Sequence, residues 1–495
     1  MAHPSRARRN GRFTSPGVTK AATAAASRAQ GKAARERVPR SSHAVWEPPA
    51  NRPDPLELLK RDDEGRLPGL LPIRYARMVA TPFSFYRGAA SIMASDLQST
   101  PHSGIATQIC GDAHLSNFGA FATPERRFVF DLNDFDETTA GGAWEWDIKR
   151  LATSFAIAGR FLGLRPRQRA AAVRACVASY RERIQQYAGM HVLDVWYARV
   201  DEAAFADAVG GAAPPTADGA LHTPSQSHEE LYAKLVVESG GEPRIADKPP
   251  YVFHPGDDPG FVSRVAKGLD HYRRSLPAER RALYERFRFV DAAYKVVGVG
   301  SVGTRCAVAL LLAEAGDPLF LQIKEARASV YEAYVGPCGF DDQGERVVVG
   351  QHLMQAATDI FMGWARADDG HTFYVRQLRD MKAGADVERM NEDKLESYAG
   401  VCGWALARAH AKAAGIAPAV AGYLGRNDVF DDALVKFAEA YADQNEGDYA
   451  KLVAAVNDGR IVAAPTPALP AAPDPAPAAA AVPDPAPAPS PKTDG

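Results

Sequence analysis

Apolar residues recur at three-to-four spacing through residues 55–98, which predicts helix in two pieces. Leu56, Leu58 and Leu59 begin the first, and Pro82 interrupts the run at a place suited to a helix start. Residues 104–110 are short and partly β-branched, like a strand or an approach loop, and residues 127–131 form a second short apolar strand. After the Gly141-Gly142 turn, Trp144 opens a long amphipathic helix, and another is predicted over about 166–187. Residues 207–260, rich in Gly, Pro, Asp and His, predict a long irregular insertion.

The period changes near residue 287. Residues 289–297, 304–312 and 319–325 read as strands. In the last of these, Leu319, Leu321 and Ile323 take one face, and Phe320, Gln322 and Lys324 the other. A helix is predicted over 344–357, and a hairpin over 360–365 and 372–378 around Asp368-Asp369-Gly370. Leu395, Cys402, Leu406 and Ala409 mark the buried stripe of a helix over about 392–414.

Composition sets the frame. A chain of 495 residues, 46% hydrophobic and 24% charged, is long enough for two lobes and a large core. A net charge of −2 gives no general reason for nucleic-acid binding. Five scattered cysteines without a CxxC pair suggest neither a zinc site nor a disulfide framework, and fit a reducing cytoplasm. Nothing predicts a membrane span or a secretory signal. Residues 1–45 carry ten Lys/Arg against Glu36 and read as a disordered basic leader, with a nucleic-acid arm as the alternative. The Ala/Pro repeats near the end read as an extended tail. The expected division is a leader over 1–50, a mainly helical catalytic lobe over 51–286, and a β-rich nucleotide lobe over 287–380. Helices packing back on the catalytic lobe follow over 381–460, and then the tail over 461–495.

Two stretches carry the chemistry. Gly298, Gly300 and Gly303 match G-x-G-x-x-G. A dinucleotide site would need a helix starting at the third glycine, whereas a β-like run follows. A hairpin over nucleotide phosphates is the alternative, and it predicts a lysine on the next strand, which is Lys324. A glutamate on the following helix should hold that lysine. Glu345 is the first candidate and Glu332 the second. In Cys110-Gly-Asp-Ala-His-Leu-Ser-Asn117, Asp112 and Asn117 have the Asp-x-x-x-x-Asn spacing of a kinase catalytic loop. Asp112 would receive or orient the proton of an attacking hydroxyl, and Asn117 would ligate Mg²⁺. A carboxylate behind the next strand would complete the metal set. Strand length favours Asp131 and the distance to Asp147 favours Asp134. Asp134 is the choice, with Asp136 assisting. Such an oxygen-only set suits Mg²⁺. His114 reads as a hydrogen-bonding strut, Arg87 as an ion-pair partner or phosphate contact, and Trp144 and Trp146 as core.

The strings Thr81-Pro-Phe-Ser-Phe-Tyr-Arg-Gly88, Cys110-Gly-Asp-Ala-His-Leu-Ser-Asn-Phe-Gly119, Phe130-Asp-Leu-Asn-Asp-Phe-Asp-Glu-Thr138, Trp144-Glu-Trp-Asp-Ile-Lys-Arg-Leu151 and Gln322-Ile-Lys-Glu-Ala326 resemble an uncharacterised bacterial family, domain of unknown function 2252. That family looks related to protein-kinase-like proteins, especially the aminoglycoside- and choline-phosphotransferase branch. The resemblance implies Asp112 as base, Asn117 and Asp134 as metal ligands, and Asp147 as the helix aspartate that braces the catalytic loop. Cys110 stands where the branch has histidine. The order is also reversed, catalytic motif before glycine loop, which implies a circularly permuted, bilobal α+β kinase-like fold. The expected activity is ATP- and Mg²⁺-dependent phosphoryl transfer to a small-molecule hydroxyl, with nucleotidyl transfer using the same groups. A metal-dependent phosphoesterase with Asp112, His114 and Asp134 as ligands, or a non-catalytic nucleotide-binding scaffold, are the alternatives.

Overall fold

The computed structural model describes residues 23–209, 221–222, 228–296, 298–378 and 382–465. The architecture is mixed α+β. A six-stranded antiparallel sheet runs Gly363–Arg366, Thr372–Gln377, Pro318–Ala326, Cys306–Ala313, Phe287–Lys295, Val252–Phe253. Its alternation follows the sequence pattern. Leu319 and Leu321 pack on one face beneath the Phe261–Tyr272 helix, and Phe320 packs on the other with Leu231 and Ile245. A five-stranded sheet and two small hairpin-like pairs complete the β structure.

The largest core is helical. Helices Trp144–Phe161, Pro166–Tyr187, Glu392–Ala414 and Val429–Asn457 pack around Trp144, Phe155, Tyr180, Leu406 and Phe437. The predicted 392–414 helix is present at those bounds, and Trp144 and Trp146 are buried as expected. No helix among the described residues is long and apolar enough to cross a membrane. The five cysteines are unpaired.

Three expectations need correction. Residues 55–98 form four helices rather than two, Pro55–Asp63, Leu71–Met78, Pro82–Gly88 and Ala90–Leu97, each too short to have shown its own boundaries in the period. The 207–260 stretch, where described, is not irregular. It holds the His228–Leu235 helix, the Val236–Ser239 and Glu242–Ile245 pair, and the edge strand Val252–Phe253 of the large sheet.

The leader is the third. Residues 1–22 and the tail beyond 465 lie outside the described residues, but Ala24–Arg37 is a helix packed on Ala417–Leu424. Their small residues allow the backbones to touch. A Cβ at Gly31 would sit 1.9 Å from the Ala419 carbonyl oxygen, and one at Gly422 would sit 2.1 Å from that of Arg28. The basic charge is used locally. Arg35 donates to the Tyr423 carbonyl at 2.8 Å, and Arg40 to the Leu424 carbonyl and Asn427. Cations there complement the exposed carbonyls of a helix C-terminus.

His43 closes this contact, fully buried with its Nε2 2.7 Å from the Tyr423 hydroxyl. Burial, then Lys149 and His102, push its imidazole down to about 2 from 6.5. The folded value lies below the unfolded one. The neutral ring therefore contributes stability that is fully present above about pH 6.5 and lost as pH falls through the window towards 2, by about 1.4 kcal/mol per pH unit. In denaturant unfolding, the stability difference between wild type and His43→Asn should shrink from about pH 7 to about pH 5 by that amount per unit below 6.5. A pH-independent difference would contradict the assignment.

Candidate functional site

One face of the Trp144–Phe161 helix positions the Cys110–Asn117 stretch. Asp147 accepts from the backbone N–H groups of Cys110 at 2.7 Å and Gly111 at 2.9 Å. One turn on, Arg150 Nε donates to Asp112 Oδ1 at 2.6 Å. One more turn on, Ser154 Oγ accepts from Leu115 N–H at 3.0 Å. Residues three and four apart share a helix face, so one helix clamps the loop at three points. His410 Nε2 lies 3.1 Å from Asp147 Oδ2 and bonds through Nδ1 to the Tyr180 hydroxyl. Gly111 is left-handed (φ +85°), and a Cβ there would meet the Glu137 carbonyl oxygen at 2.4 Å. The loop and the acidic turn after it can approach this closely because the position is glycine.

The Phe128–Leu132 strand delivers the acidic residues, and the two candidates part company. Asp131 is fully buried, ion-paired with Arg408 at 2.7 Å, and accepts from Ala356 N–H at 2.7 Å. It has no free face for a metal. Asp134 lines a cavity, and its buried Oδ1 has no hydrogen-bond donor among the described residues. Burial, and then Asp136, raise its carboxyl above the ordinary value. Asn117 donates through Nδ2 to the Asp112 carbonyl at 2.8 Å, which leaves its amide oxygen as the group able to ligate.

Lys324 joins the two halves of the chain. In the sheet it stands opposite Cys306 and Tyr374. Its Nζ lies 2.8 Å from Asp136 Oδ2 and 3.5 Å from Asp134 Oδ1. Burial alone would lower this ammonium, but the two aspartates hold it well above its usual range. Asp136 also accepts from the Tyr374 hydroxyl at 2.6 Å and Ser301 Oγ at 3.1 Å. Burial opposes its charge, yet Lys324 and Tyr374 outweigh burial and keep the carboxyl below its usual range.

Glu345 does not hold Lys324. It sits in the first turn of the Gln343–Met354 helix with Asp341 and Asp342 as its charged neighbours, and burial and those two carboxylates raise its own carboxyl. Glu332, the second candidate, lies 3.7 Å from Arg346. The next residue on the helix points inward instead. Arg346 is buried and donates to the carbonyls of Thr138 and Asp136, the latter at 2.8 Å, so it fixes the acidic turn. The counter-charge of the lysine comes from Asp136 and Asp134.

A cavity of about 190 Å³ gathers the pieces. Asp112, His114, Asn117, Asp134, Asp136, Glu137, Gly298, Gly300 and Ser301 line it. The glycine loop does join two strands, Phe287–Lys295 and Cys306–Ala313, through a short 3₁₀ turn at Val299–Ser301. The amides of Ser301, Val302 and Thr304 bond within that turn, so they are not offered to phosphates as the motif suggested. Gly303 lies behind the cavity with φ +91°, its carbonyl accepting from Leu67 N–H at 2.7 Å. Arg66 donates to the carbonyls of Gly300 and Val302, which ties the loop to the first helices.

Asp112, His114 and Asp134 do not form a metal cage, since no group of three or more His, Cys, Asp or Glu able to hold a metal occurs among the described residues. His114 is buried, with Nε2 3.7 Å from Asp112 Oδ2 and Nδ1 without a hydrogen-bond partner among the described residues. Arg150, Arg346 and Tyr374 were missed. For Arg150 a signal existed, because it follows Asp147 at the i, i+3 spacing of a shared helix face. The other two are aimed by tertiary packing.

The fold and the cavity define a mixed α+β protein with carboxylates and a lysine assembled from both ends of the chain. The chain belongs to the family described as uncharacterized protein conserved in bacteria (DUF2252), whose model matches residues 66–455. No curated protein and no solved structure was found to match it.

The two aspartates should separate in stability. Asp131→Asn leaves the Arg408 guanidinium buried without its counter-charge, which should cost about 3–5 kcal/mol in denaturant unfolding. Asp134→Asn relieves a crowded carboxylate and should change stability by less than about 1 kcal/mol. Equal losses would contradict the division of roles.

Proposed function

We propose that this protein is an ATP- and Mg²⁺-dependent phosphotransferase that phosphorylates a hydroxyl of a small molecule. One observation carries the reading. Asp112, Asn117 and Asp134, which match a catalytic-loop and metal motif, line the same cavity as the glycine loop, and Asp134 lies 3.5 Å from Lys324, from the distant half of the sequence. Phosphoryl transfer asks mainly for positioning and charge stabilisation, and these groups supply both.

Asp112 would orient the acceptor hydroxyl and receive its proton, held in place by Arg150. Lys324 would meet the nucleotide phosphates as a fixed point charge. Asn117 and Asp134 would hold Mg²⁺. The orphaned, buried Asp134 Oδ1 fits that role, as does the all-oxygen donor set. The ion would supply charge neutralisation for the transferring group. Asp136, already engaged by three donors, is better suited to positioning Lys324 than to ligation. The cavity is smaller than the roughly 300–1,000 Å³ of most ligand sites, so nucleotide entry would require the Val299–Ser301 turn to lift from Asp136.

The same reading includes a kinase-like fold with its two halves exchanged in order. It is supported by the Glu392–Ala414 helix, which reaches the loop motif from the far end of the chain through Tyr398, donating to the Leu115 carbonyl at 3.0 Å, and meets Asp147 through His410.

Thermal unfolding tests the proposal. ATP with Mg²⁺ at about 100 times Kd should stabilise the protein by about 2.7 kcal/mol. Asp134→Asn should lose the Mg²⁺-dependent part of that shift. Asp112→Asn should keep nucleotide binding while ADP formation falls at least a hundredfold, the lower end of what a positioned acid or base contributes. No shift with any nucleotide, or an equal shift in wild type and Asp134→Asn, would refute it.

A further inference from the structure

The cavity has a second pole that the nucleotide reading does not use. Three arginines line it: Arg66, Arg87 and Arg327. Arg66 donates to the carbonyls of Asp62, Gly300 and Val302, and Arg327 to those of Asp62 and Glu64. Arg87 differs. It stacks over the Phe83 ring at 5.7 Å, and its Nε is buried without a hydrogen-bond partner among the described residues. His114, which lines the same cavity and feels the Arg87 charge, is 3% exposed, with Nδ1 buried and without a hydrogen-bond partner among the described residues. Two buried nitrogen atoms, Nε of the half-buried Arg87 and Nδ1 of the buried His114, thus lie on residues lining one cavity with unused hydrogen-bonding capacity. Leaving such groups unpaired is costly, which points to a ligand that satisfies them.

These groups belong to the side of Asp112, not of Lys324. The charges that act on Arg87 are Asp112 and Arg77, whereas those around Lys324 are Asp134, Asp136, Tyr374 and Arg376. His114 Nε2 is 3.7 Å from Asp112 Oδ2, too long for a hydrogen bond but within the same pocket. Arg150 already neutralises Asp112 at 2.5 Å, so Arg87 is not needed as its counter-ion. A guanidinium with free donors suits a planar or tetrahedral oxyanion, and a neutral imidazole still offers one N–H.

We infer that Arg87 and His114 form an anion subsite on the acceptor side of the cavity, so that the molecule phosphorylated already carries a phosphate or carboxylate group. The inference rests on the phosphotransferase reading for its reaction. In that reaction the acceptor oxygen gives its proton to Asp112 and bonds to the γ-phosphorus. The bond from that phosphorus to the β-bridging oxygen breaks, and ADP leaves. The subsite would hold the acceptor's own anion while its hydroxyl faces Asp112, which excludes cationic acceptors by charge.

The test is a calorimetric titration of the full chain with inorganic phosphate or acetate, without nucleotide and then with Mg²⁺ and a non-hydrolysable ATP analogue at saturation. The inference predicts that one of the two anions binds in both states. It predicts that Arg87→Gln weakens the anion at least tenfold, that Arg87→Lys weakens it less, and that both variants leave nucleotide affinity within about twofold. The two sources of the anion are thereby separated. If Arg87→Gln weakens the nucleotide tenfold or more, Arg87 serves the ATP phosphates and the inference falls. If neither anion binds, it also falls. If the wild type binds an anion through Arg87 but no nucleotide, the subsite stands and the phosphotransferase reading fails. His114→Gln, with a smaller loss of anion binding, guards against a folding defect at Arg87.

Discussion

Lys324, buried with Asp136 at 2.8 Å and Asp134 at 3.5 Å, ties the large sheet to the acidic turn of the helical half. Lys324 lies on a central strand of the large sheet, and Asp134 and Asp136 lie on a turn nearly two hundred residues earlier. Burying the lysine charge alone would be prohibitive, and the two partly exposed aspartates offset it with added hydrogen bonds. Tyr374 and Ser301 supply two of them to Asp136. Arg346 holds the backbone of the same turn. The cluster therefore fixes where the sheet sits against the helical core, and it leaves one carboxylate oxygen, on Asp134, without a donor.

The helical side is organised by a second buried carboxylate. Asp147 takes two backbone N–H groups of the Cys110–Asn117 stretch and meets His410 from the Glu392–Ala414 helix. Sequence-distant helices are thus required for the local geometry of the loop. The same Glu392–Ala414 helix supplies Arg408 to Asp131, so it braces the start of the acidic segment as well as Asp147. Cys110, where a histidine would be expected from the kinase-like resemblance, contributes its backbone N–H to Asp147 and its thiol to the Asp134 carbonyl at 3.3 Å. Its side chain is therefore structural.

Much of the site was legible because its residues lie in short strings with fixed spacing. Asp112, Asn117, Asp134 and Lys324 were read from such strings and converge in space, and Asp147 braces the loop as the resemblance implied. The choice between Asp131 and Asp134 could be argued only from spacing, because the partner that occupies Asp131 is Arg408, brought by a helix from the other end of the chain. Glu345 was misassigned because spacing locates a helix but not its rotation, and one residue's turn puts Arg346 inward instead. The leader looked disordered by composition. Its charges are matched to helix-end carbonyls near Tyr423, a complement that has no local signature. Among the folded elements, strand alternation around residues 306–326 was the most faithful guide, since a half-buried sheet must alternate.

On the proposed reading, Lys324 and Asp134, 3.5 Å apart, together form one wall of a nucleotide site. A crystal structure of the full chain with Mg²⁺ and a non-hydrolysable ATP analogue tests it most directly. The phosphates should lie between Lys324 and the Val299–Ser301 turn, with the metal on Asp134 and Asn117. A nucleotide bound elsewhere, or a metal on Asp131, would contradict it.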